Sequence, residues 1–303
     1  MDGWCLTGAK SSDAERPPVP DAVPDSITPA FVLAATVEIA LLIAGIVVLW
    51  RVRFSPAART ALETSYRPLG TWRLLPSDFL TSALLVMFGG LGLQLSVGFL
   101  GRGLPALTAD PDLWLILQGI AFQLGMLAGA VGAFYYTRNR GNVLPGGDPH
   151  LTPLPKAGFL TFLAVLPAVT AVSFAWTGLL QIVGIQPERQ ELVDLFVNAE
   201  SRTTAIVMAG FAILVAPITE ELIFRAGLFR YLRTRIPRWA ALLLPALLFA
   251  SLHGNLAAFA PLAALGIVFA LAYEHTGRIA VPIIAHALFN LNTIVLLLTG
   301  VTA

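Results

Sequence analysis

The stretch APITEELIFRAGLFR, residues 216–230, sets two glutamates side by side and an arginine four residues after the second, all within an apolar run. Apolar runs dominate the chain, because 56% of its 303 residues are hydrophobic and only 12% are charged. A soluble domain has about 25% charged residues. The composition therefore predicts a membrane protein, and the charges inside its apolar runs require a physical account.

Eight apolar segments have a length close to the roughly 20 residues that a helix needs to cross a bilayer. They lie at about 30–50, 79–100, 113–136, 157–185, 203–224, 239–255, 257–274 and 280–299. Lipid offers no partner to free backbone groups, so the spans are expected to be helical. The prediction is an all-α, polytopic transmembrane bundle of about eight spans. The sixth and seventh segments are short, so we expect one of them to enter tilted or to be covered by its neighbours.

The chain divides into three parts on composition. Residues 1–28 are polar and proline-rich, without the basic start and apolar core of a secretory signal peptide, and are predicted to be a disordered extracytoplasmic tail. Residues 29–202 hold the first transmembrane helices and a connector, and residues 203–303 hold the motifs described below. The single cysteine, Cys5, cannot form an internal disulfide. A net charge of +1 gives no indication of a nucleic-acid partner.

The arginines and lysines orient the spans. If the loop 51–77 is cytoplasmic and the later loops alternate, fourteen of the nineteen basic residues lie on the inner side. Cytoplasmic loops of membrane proteins carry such an excess. The sequence therefore predicts both termini outside, with Arg225, Arg230, Arg233, Arg235 and Arg238 in one inner loop. We expect an integral, multi-pass protein of a bacterial plasma membrane.

Two further patterns concern helix packing and the outer loop 186–202. Gly125 and Gly129 form a GxxxG in the third span, which predicts a close helix–helix contact. In the outer loop 186–202, Leu192, Val193, Phe196 and Val197 can share one helical face with acids opposite. This indicates an interfacial connector helix, and a lid over a cavity is the alternative.

Ionisable groups inside a membrane cost roughly 2.5–3.5 kcal/mol each on insertion scales, so they persist when they pair, line water or do chemistry. Glu221 and Arg225 are four residues apart and can pair along a helix. Adjacent helical residues point about 100° apart, so Glu220 is expected to point elsewhere. Taken alone, this motif is equally consistent with a buried ion pair that fixes helix packing.

Two histidine motifs join the glutamates. FASLHGN at the end of the sixth segment contains Phe249 and His253, and HALFN in the eighth sets His286 and Asn290 on one helical face. Counted from the cytoplasmic arginines, Glu220, His253 and His286 lie about 15, 22 and 12 Å deep. The hydrocarbon core is about 30 Å thick, so all three residues can meet near its middle.

Such a set is suited to activating water. Glu220 can take a proton from water, His253 can orient that water, and His286 and Asn290 can donate hydrogen bonds to the oxyanion formed at a peptide carbonyl. No serine or cysteine has an evident nucleophile context, which favours direct attack by water. Glu220, His253 and His286 are also an acceptable set of ligands for catalytic zinc. The chain lacks an HExxH motif, and the sequence leaves open whether a metal takes part.

At these residues the chain resembles the CPBP family, also called Abi, which includes the type II CAAX prenyl endopeptidases and bacteriocin-processing relatives. The family pattern is EExxxR, FxxxH and HxxxN or HxxxD on successive helices, and here it reads Glu220-Glu221-xxx-Arg225, Phe249-xxx-His253 and His286-xxx-Asn290. The resemblance covers about residues 203–298.

The resemblance implies an intramembrane endopeptidase, often labelled a metalloprotease. Glu220 would activate water, and His253 would help it. The oxyanion would be stabilised by His286 and Asn290, and the site would be organised by Glu221 and Arg225. The implied partners are the lipid bilayer and a peptide or protein substrate, of the prenylated CAAX type or the bacteriocin type. The alternatives are a non-enzymatic immunity or scaffold protein and a proton-coupled transporter.

One intramembrane acid stands apart from these motifs. Glu38 lies in the first span, about 13 Å below the outer surface. We expect it to pair with a polar group such as Gln94, Gln118 or Gln123, and a role in admitting substrate is the alternative.

Overall fold

A computed structural model describes residues 28–53, 69, 72–104, 108–138, 153–186, 196 and 202–301 of the chain. The predicted disordered tail, apart from Thr28, lies outside the described residues. So does the predicted connector helix, apart from residues 186, 196 and 202. These two predictions, and the division of the chain at residue 203, remain predictions.

The described residues form eight helices and no strand. The helices are α1 (Pro29–Arg53), α2 (Pro76–Gly101), α3 (Pro111–Thr137), α4 (Leu154–Ile182), α5 (Arg202–Arg233), α6 (Arg238–Ser251), α7 (Leu256–Thr276) and α8 (Ala280–Thr299). Seven of them, all but α6, are long and apolar enough to cross a membrane. The predicted polytopic all-α fold is confirmed. The protein is an integral, multi-pass membrane protein, and its assignment to a bacterial plasma membrane stays a prediction.

The sixth predicted span is shorter than expected. Helix α6 has 14 residues, about 21 Å at 1.5 Å per residue, which is less than the thickness of the hydrocarbon core. It ends at Ser251 because the chain turns at Gly254, whose φ of +64° lies in the left-handed region that glycine adopts without strain. Asn255 then caps α7, its Oδ1 accepting the amide hydrogen of Ala258 at 2.8 Å.

Helix α4 forms the centre of the bundle. It contributes Phe162, Leu163, Val165, Leu166 and Val169 to the main core, where they meet Phe224 of α5, Phe249 of α6, Leu265 and Phe269 of α7 and Ala285 of α8. The outer surface of the bundle is apolar as well, with many exposed leucine, valine and isoleucine side chains. Because lipid tails are as apolar as these side chains, close packing rather than hydrophobic burial holds the helices together.

Helices α2 and α3 pack through glycines, as the GxxxG pattern predicts. A Cβ atom on Gly125 would lie 2.2 Å from the carbonyl oxygen of Gly89, and one on Gly129 would lie 2.3 Å from that of Leu85. No side chain fits between these backbones. The predicted packing role of Gly125 and Gly129 is confirmed.

Helix α5 extends beyond the predicted fifth span, 203–224, to Arg233. Arg225 and Arg230, which the orientation argument counts as loop residues, lie inside this helix and are 2% and 1% exposed. That part of the prediction is wrong, because both arginines have partners inside the protein. Arg225 pairs with Glu221, and the Arg230 guanidinium lies 5.2 Å from the ring centre of Trp72.

A buried carboxylate joins three helices at the end of the bundle where α5 stops. Glu274 of α7 is 2% exposed and accepts hydrogen bonds from Arg233 Nε at 2.5 Å and from Arg238 Nη2 at 2.7 Å. Arg238 Nε also donates to Glu274 Oε2 at 2.9 Å. Charge-assisted bonds of this kind are strong and directional, so Glu274 fixes the ends of α5, α6 and α7 relative to one another. Sequence reasoning did not single out Glu274.

Candidate active site

The two glutamates lie on a short α-helical segment between two irregular stretches of α5. Residues Ala216–Glu221 are α-helical, whereas Phe211–Val215 before them and Leu222–Phe229 after them are π-helical. A π-helical turn holds one more residue than an α-helical turn and is frequent at functional sites. Each stretch therefore changes the direction in which the following side chains point.

Glu221 forms the buried centre of the site. Its carboxylate is 0% exposed, and its Oε1 lies 2.9 Å from both Arg225 Nη1 and His286 Nδ1. The predicted pairing of Glu221 with Arg225 is confirmed. The guanidinium N–H is not aligned with the oxygen, so the pair is held by charge attraction rather than by a well-formed hydrogen bond. A carboxylate only accepts, so His286 Nδ1 carries a hydrogen and donates it to Glu221.

Glu220 faces a more open part of the same site. Its side chain is 15% exposed, and its Oε1 accepts a hydrogen bond from Gln123 Nε2 of α3 at 3.2 Å. Its Oε2 lies 3.7 Å from His286 Nε2. Glu220 thus points away from the Glu221–Arg225 pair, as expected, yet both glutamates reach His286. Both contacts are possible because the two nitrogens of one imidazole ring lie on different edges.

Aromatic rings enclose the charged groups. The Arg225 guanidinium carbon lies 4.7 Å from the ring centre of Phe249 and 5.6 Å from that of Phe269. The Phe249 ring also meets His253 edge-on at 4.7 Å and His286 at 6.2 Å. Cations are attracted to ring faces, so Phe249, the first residue of the FxxxH motif, holds Arg225 in place and joins both histidines.

His253 lies just beyond the end of α6 and is exposed. Its Nδ1 is 2.7 Å from the carbonyl oxygen of Phe249, and because a carbonyl only accepts, Nδ1 carries the hydrogen. This tautomer leaves Nε2 as an acceptor. No hydrogen bond or ion pair joins His253 to either glutamate within the described ranges. Its role with water stays a prediction.

Asn290 lies one turn after His286 on α8, and both side chains face α5. Its Nδ2 donates a hydrogen bond to the carbonyl oxygen of Ala212 in α5, at 2.7 Å. The predicted common face of His286 and Asn290 is therefore confirmed, since both contact α5. One amide hydrogen is already used in this contact, and the oxyanion role of Asn290 stays a prediction.

The three predicted zinc ligands do not come together in this structure. In the part of the chain that is described, no group of three or more His, Cys, Asp or Glu side chains is arranged to hold a metal ion. His286 Nδ1 contacts Glu221, and His253 Nδ1 contacts a backbone carbonyl. Both contacts use only one nitrogen of each ring, and metal-binding histidines commonly make such contacts with their other nitrogen. A metal ion held by Glu220, His253 and His286 stays a prediction.

Glu38 pairs with a polar group, as predicted, but not with one of the three glutamines given as examples. Asn292 Nδ2 of α8 donates to Glu38 Oε2 at 2.9 Å. Of the three glutamines considered, Gln123 contacts Glu220 instead. The only sequence signal for the Gln123–Glu220 contact was an amide inside an apolar span, and such a signal does not specify which carboxylate the amide will contact.

The segment that carries these residues is similar to a family of membrane peptidases. Residues 202–292 match the family model described as "Type II CAAX prenyl endopeptidase Rce1-like". The matched segment contains Glu220, Glu221, Arg225, His253, His286 and Asn290. The match confirms the resemblance to the CPBP family for this part of the chain.

A protein of Bacillus subtilis (strain 168), named "Putative membrane peptidase YdiL", is 35% identical to this chain over 88 residues. The aligned region is 29% of this chain and 36% of that protein, so the likeness spans about a third of each. No solved structure matches the chain. In general terms, the comparisons support a membrane peptidase.

Proposed function

We propose that this protein is an intramembrane endopeptidase that hydrolyses peptide bonds of membrane-associated substrates with a glutamate-activated water. One observation carries the proposal: the partly exposed Glu220 lies 3.7 Å from His286 Nε2, while the fully buried Glu221 accepts a hydrogen bond from the opposite nitrogen of the same ring. The buried Glu221 carboxylate fixes the His286 ring, and the partly exposed Glu220 carboxylate can reach water.

In the proposed reaction, Glu220 takes a proton from water, and the resulting hydroxide attacks the carbonyl carbon of the substrate. His253 Nε2, an acceptor in the observed tautomer, receives the second hydrogen of that water as a hydrogen bond. The tetrahedral oxyanion is stabilised by His286, which must then carry a hydrogen on Nε2 as well as on Nδ1. Glu220 returns its proton to the leaving nitrogen, and the C–N bond breaks to give a carboxylic acid and an amine. The acid then passes its proton to the amine, so that a carboxylate and an ammonium group result.

Attack by water is favoured over an acyl-enzyme. The serine closest to the histidine motif, Ser251, donates its hydroxyl hydrogen to the Leu247 carbonyl of its own helix at 2.8 Å. It is therefore not activated by His253. Metal analysis of the purified protein, with peptidase activity measured before and after chelation, decides whether a metal takes part.

Replacing one glutamate tests the proposal. Glu220→Gln is expected to lower peptide cleavage by about 10²–10⁴-fold, because a general base contributes that much. Its melting temperature should change little, since Glu220 is partly exposed and glutamine can keep the contact with Gln123. Glu38→Gln is the matched control, another membrane glutamate bound to an amide, and should cleave like the wild type.

The substrate is found by comparing the membrane peptides of cells that carry wild type or Glu220→Gln. Prenylated CAAX peptides and bacteriocin precursors are then supplied in separate assays with the protein in liposomes. Unchanged cleavage in Glu220→Gln contradicts the proposal. A large loss of stability in that variant favours the structural alternative, and loss of a pH-gradient-driven flux favours a transporter.

A further inference from the structure

The π-helical stretch before Glu220 leaves one backbone carbonyl without its helical donor. In this stretch the Ala216 N–H bonds to the Phe211 carbonyl, five residues back. The next bond in this register would run from residue 217 to the carbonyl of Ala212. Residue 217 is proline, which has no N–H. The Ala212 carbonyl therefore receives no hydrogen bond from residue 216, whose N–H bonds to Phe211, or from residue 217, which has no N–H.

Asn290 supplies the missing donor from another helix. Its Nδ2 lies 2.7 Å from the Ala212 oxygen, a normal length for an N–H···O bond. Backbone groups at membrane depth must be satisfied within the protein, and a side-chain amide is one of the groups that can do so. The contact thus compensates for the absent N–H of Pro217.

The position of this contact gives it a consequence for catalysis. One residue added to a helical turn rotates all following side chains by about 100°. Glu220 follows Pro217 by three residues, less than one turn. If this stretch returned to α-helical geometry, Glu220 would turn away from His286 Nε2.

We infer that Asn290 is a positioning residue: by bonding to the Ala212 carbonyl in place of the N–H that Pro217 lacks, it fixes the π-helical turn that directs Glu220 towards His286. This inference rests on the proposed function for its effect on catalysis. The hydrogen bond itself can be tested apart from any activity.

A double-mutant cycle tests it. Asn290→Leu, of similar size but without a donor, is made in the wild type and in Pro217→Ala, which restores an N–H at residue 217. Asn292→Leu is the matched control, since it is the same substitution on the same helix but removes the bond to Glu38. Pro217→Ser, which also supplies an N–H, replaces Pro217→Ala if the latter is not recovered folded. The melting temperature in detergent is measured for each variant, and kcat and KM are measured on a peptide recovered with the Glu220→Gln comparison.

Asn290→Leu is expected to lower kcat by about 100-fold when Pro217 is present, the scale of a displacement of about 1 Å at a reacting group, with little effect on KM. With Ala or Ser at residue 217, the losses of kcat and of melting temperature should both be much smaller. Asn292→Leu should have the same effect in each background. Equal loss of kcat in both backgrounds, as for a direct oxyanion donor, overturns the inference.

The two readouts separate the failure of this inference from that of the proposed function. If the wild type shows no peptidase activity but the melting temperatures couple residues 217 and 290, the proposed function fails and the compensating bond stands. If the melting temperatures show no coupling, the inference fails whatever the activity.

Discussion

At the scale of single residues, the two neighbouring glutamates have opposite environments. Glu221 is fully buried between Arg225 and His286, whereas Glu220 is partly exposed beside Gln123. A buried charge needs its partner, and an exposed one can be replaced at little cost in stability. The Glu221 carboxylate is thus suited to organising the site, and the Glu220 carboxylate is suited to chemistry.

The same substitution at the two positions should therefore give different results. Glu221→Gln is expected to lower the free energy of unfolding by about 3–5 kcal/mol, because it removes the counter-charge that pairs with the buried Arg225. Glu220→Gln should lower it much less. Thermal unfolding of both variants in the same detergent checks this difference. Equal destabilisation would contradict the assignment of distinct roles.

At the scale of helices, contacts between backbones place the site residues. Gln123 reaches Glu220 from α3, and α3 is held against α2 where Gly125 meets Gly89. Helix α5 combines α-helical and π-helical segments, which together direct Glu220 and Glu221 to different nitrogens of His286. Small residues and changes of helical register are therefore as important to the geometry as the charged groups.

Two alanine substitutions in α3 should have different effects on stability. Gly125→Ala brings a Cβ to 2.2 Å from the Gly89 carbonyl oxygen and is expected to destabilise the protein by about 1–3 kcal/mol through overpacking. Gly119→Ala, in the same helix, has open space around its Cβ. It should be neutral or stabilise by up to about 1 kcal/mol, because alanine favours a helix more than glycine does. Melting temperatures of the two variants decide, and similar losses would rule out the close contact.

At the scale of the whole molecule, the bundle is centred on α4 and joined at one end by Glu274. That carboxylate binds Arg233 and Arg238 where α5, α6 and α7 meet. The charge bias predicts that this end faces the cytoplasm, even though Arg225 and Arg230 are buried and do not act as loop charges. The remaining basic residues still favour the same orientation.

The single cysteine provides a test of that orientation. Cys5 is expected outside, so a membrane-impermeant maleimide should label it on intact cells, and Cys5→Ser should abolish the labelling. A matched variant that combines Cys5→Ser with Ser65→Cys places the thiol in the predicted first inner loop. It should be labelled only after the membrane is opened. Labelling of Cys5 only in opened cells would invert the topology.

The sequence by itself determined the membrane class, the approximate spans, the Glu221–Arg225 pair and the shared face of His286 and Asn290. These features depend on composition and on spacing within one helix, which the chain fixes locally. Tertiary structure decided which groups meet across helices: Gln123 with Glu220, Asn292 with Glu38, and Asn290 with the Ala212 carbonyl. It also ended α6 early and directed His253 Nδ1 to the Phe249 carbonyl. Such contacts depend on helix tilt, rotation and the π-helical register, and residue spacing along the chain does not specify these.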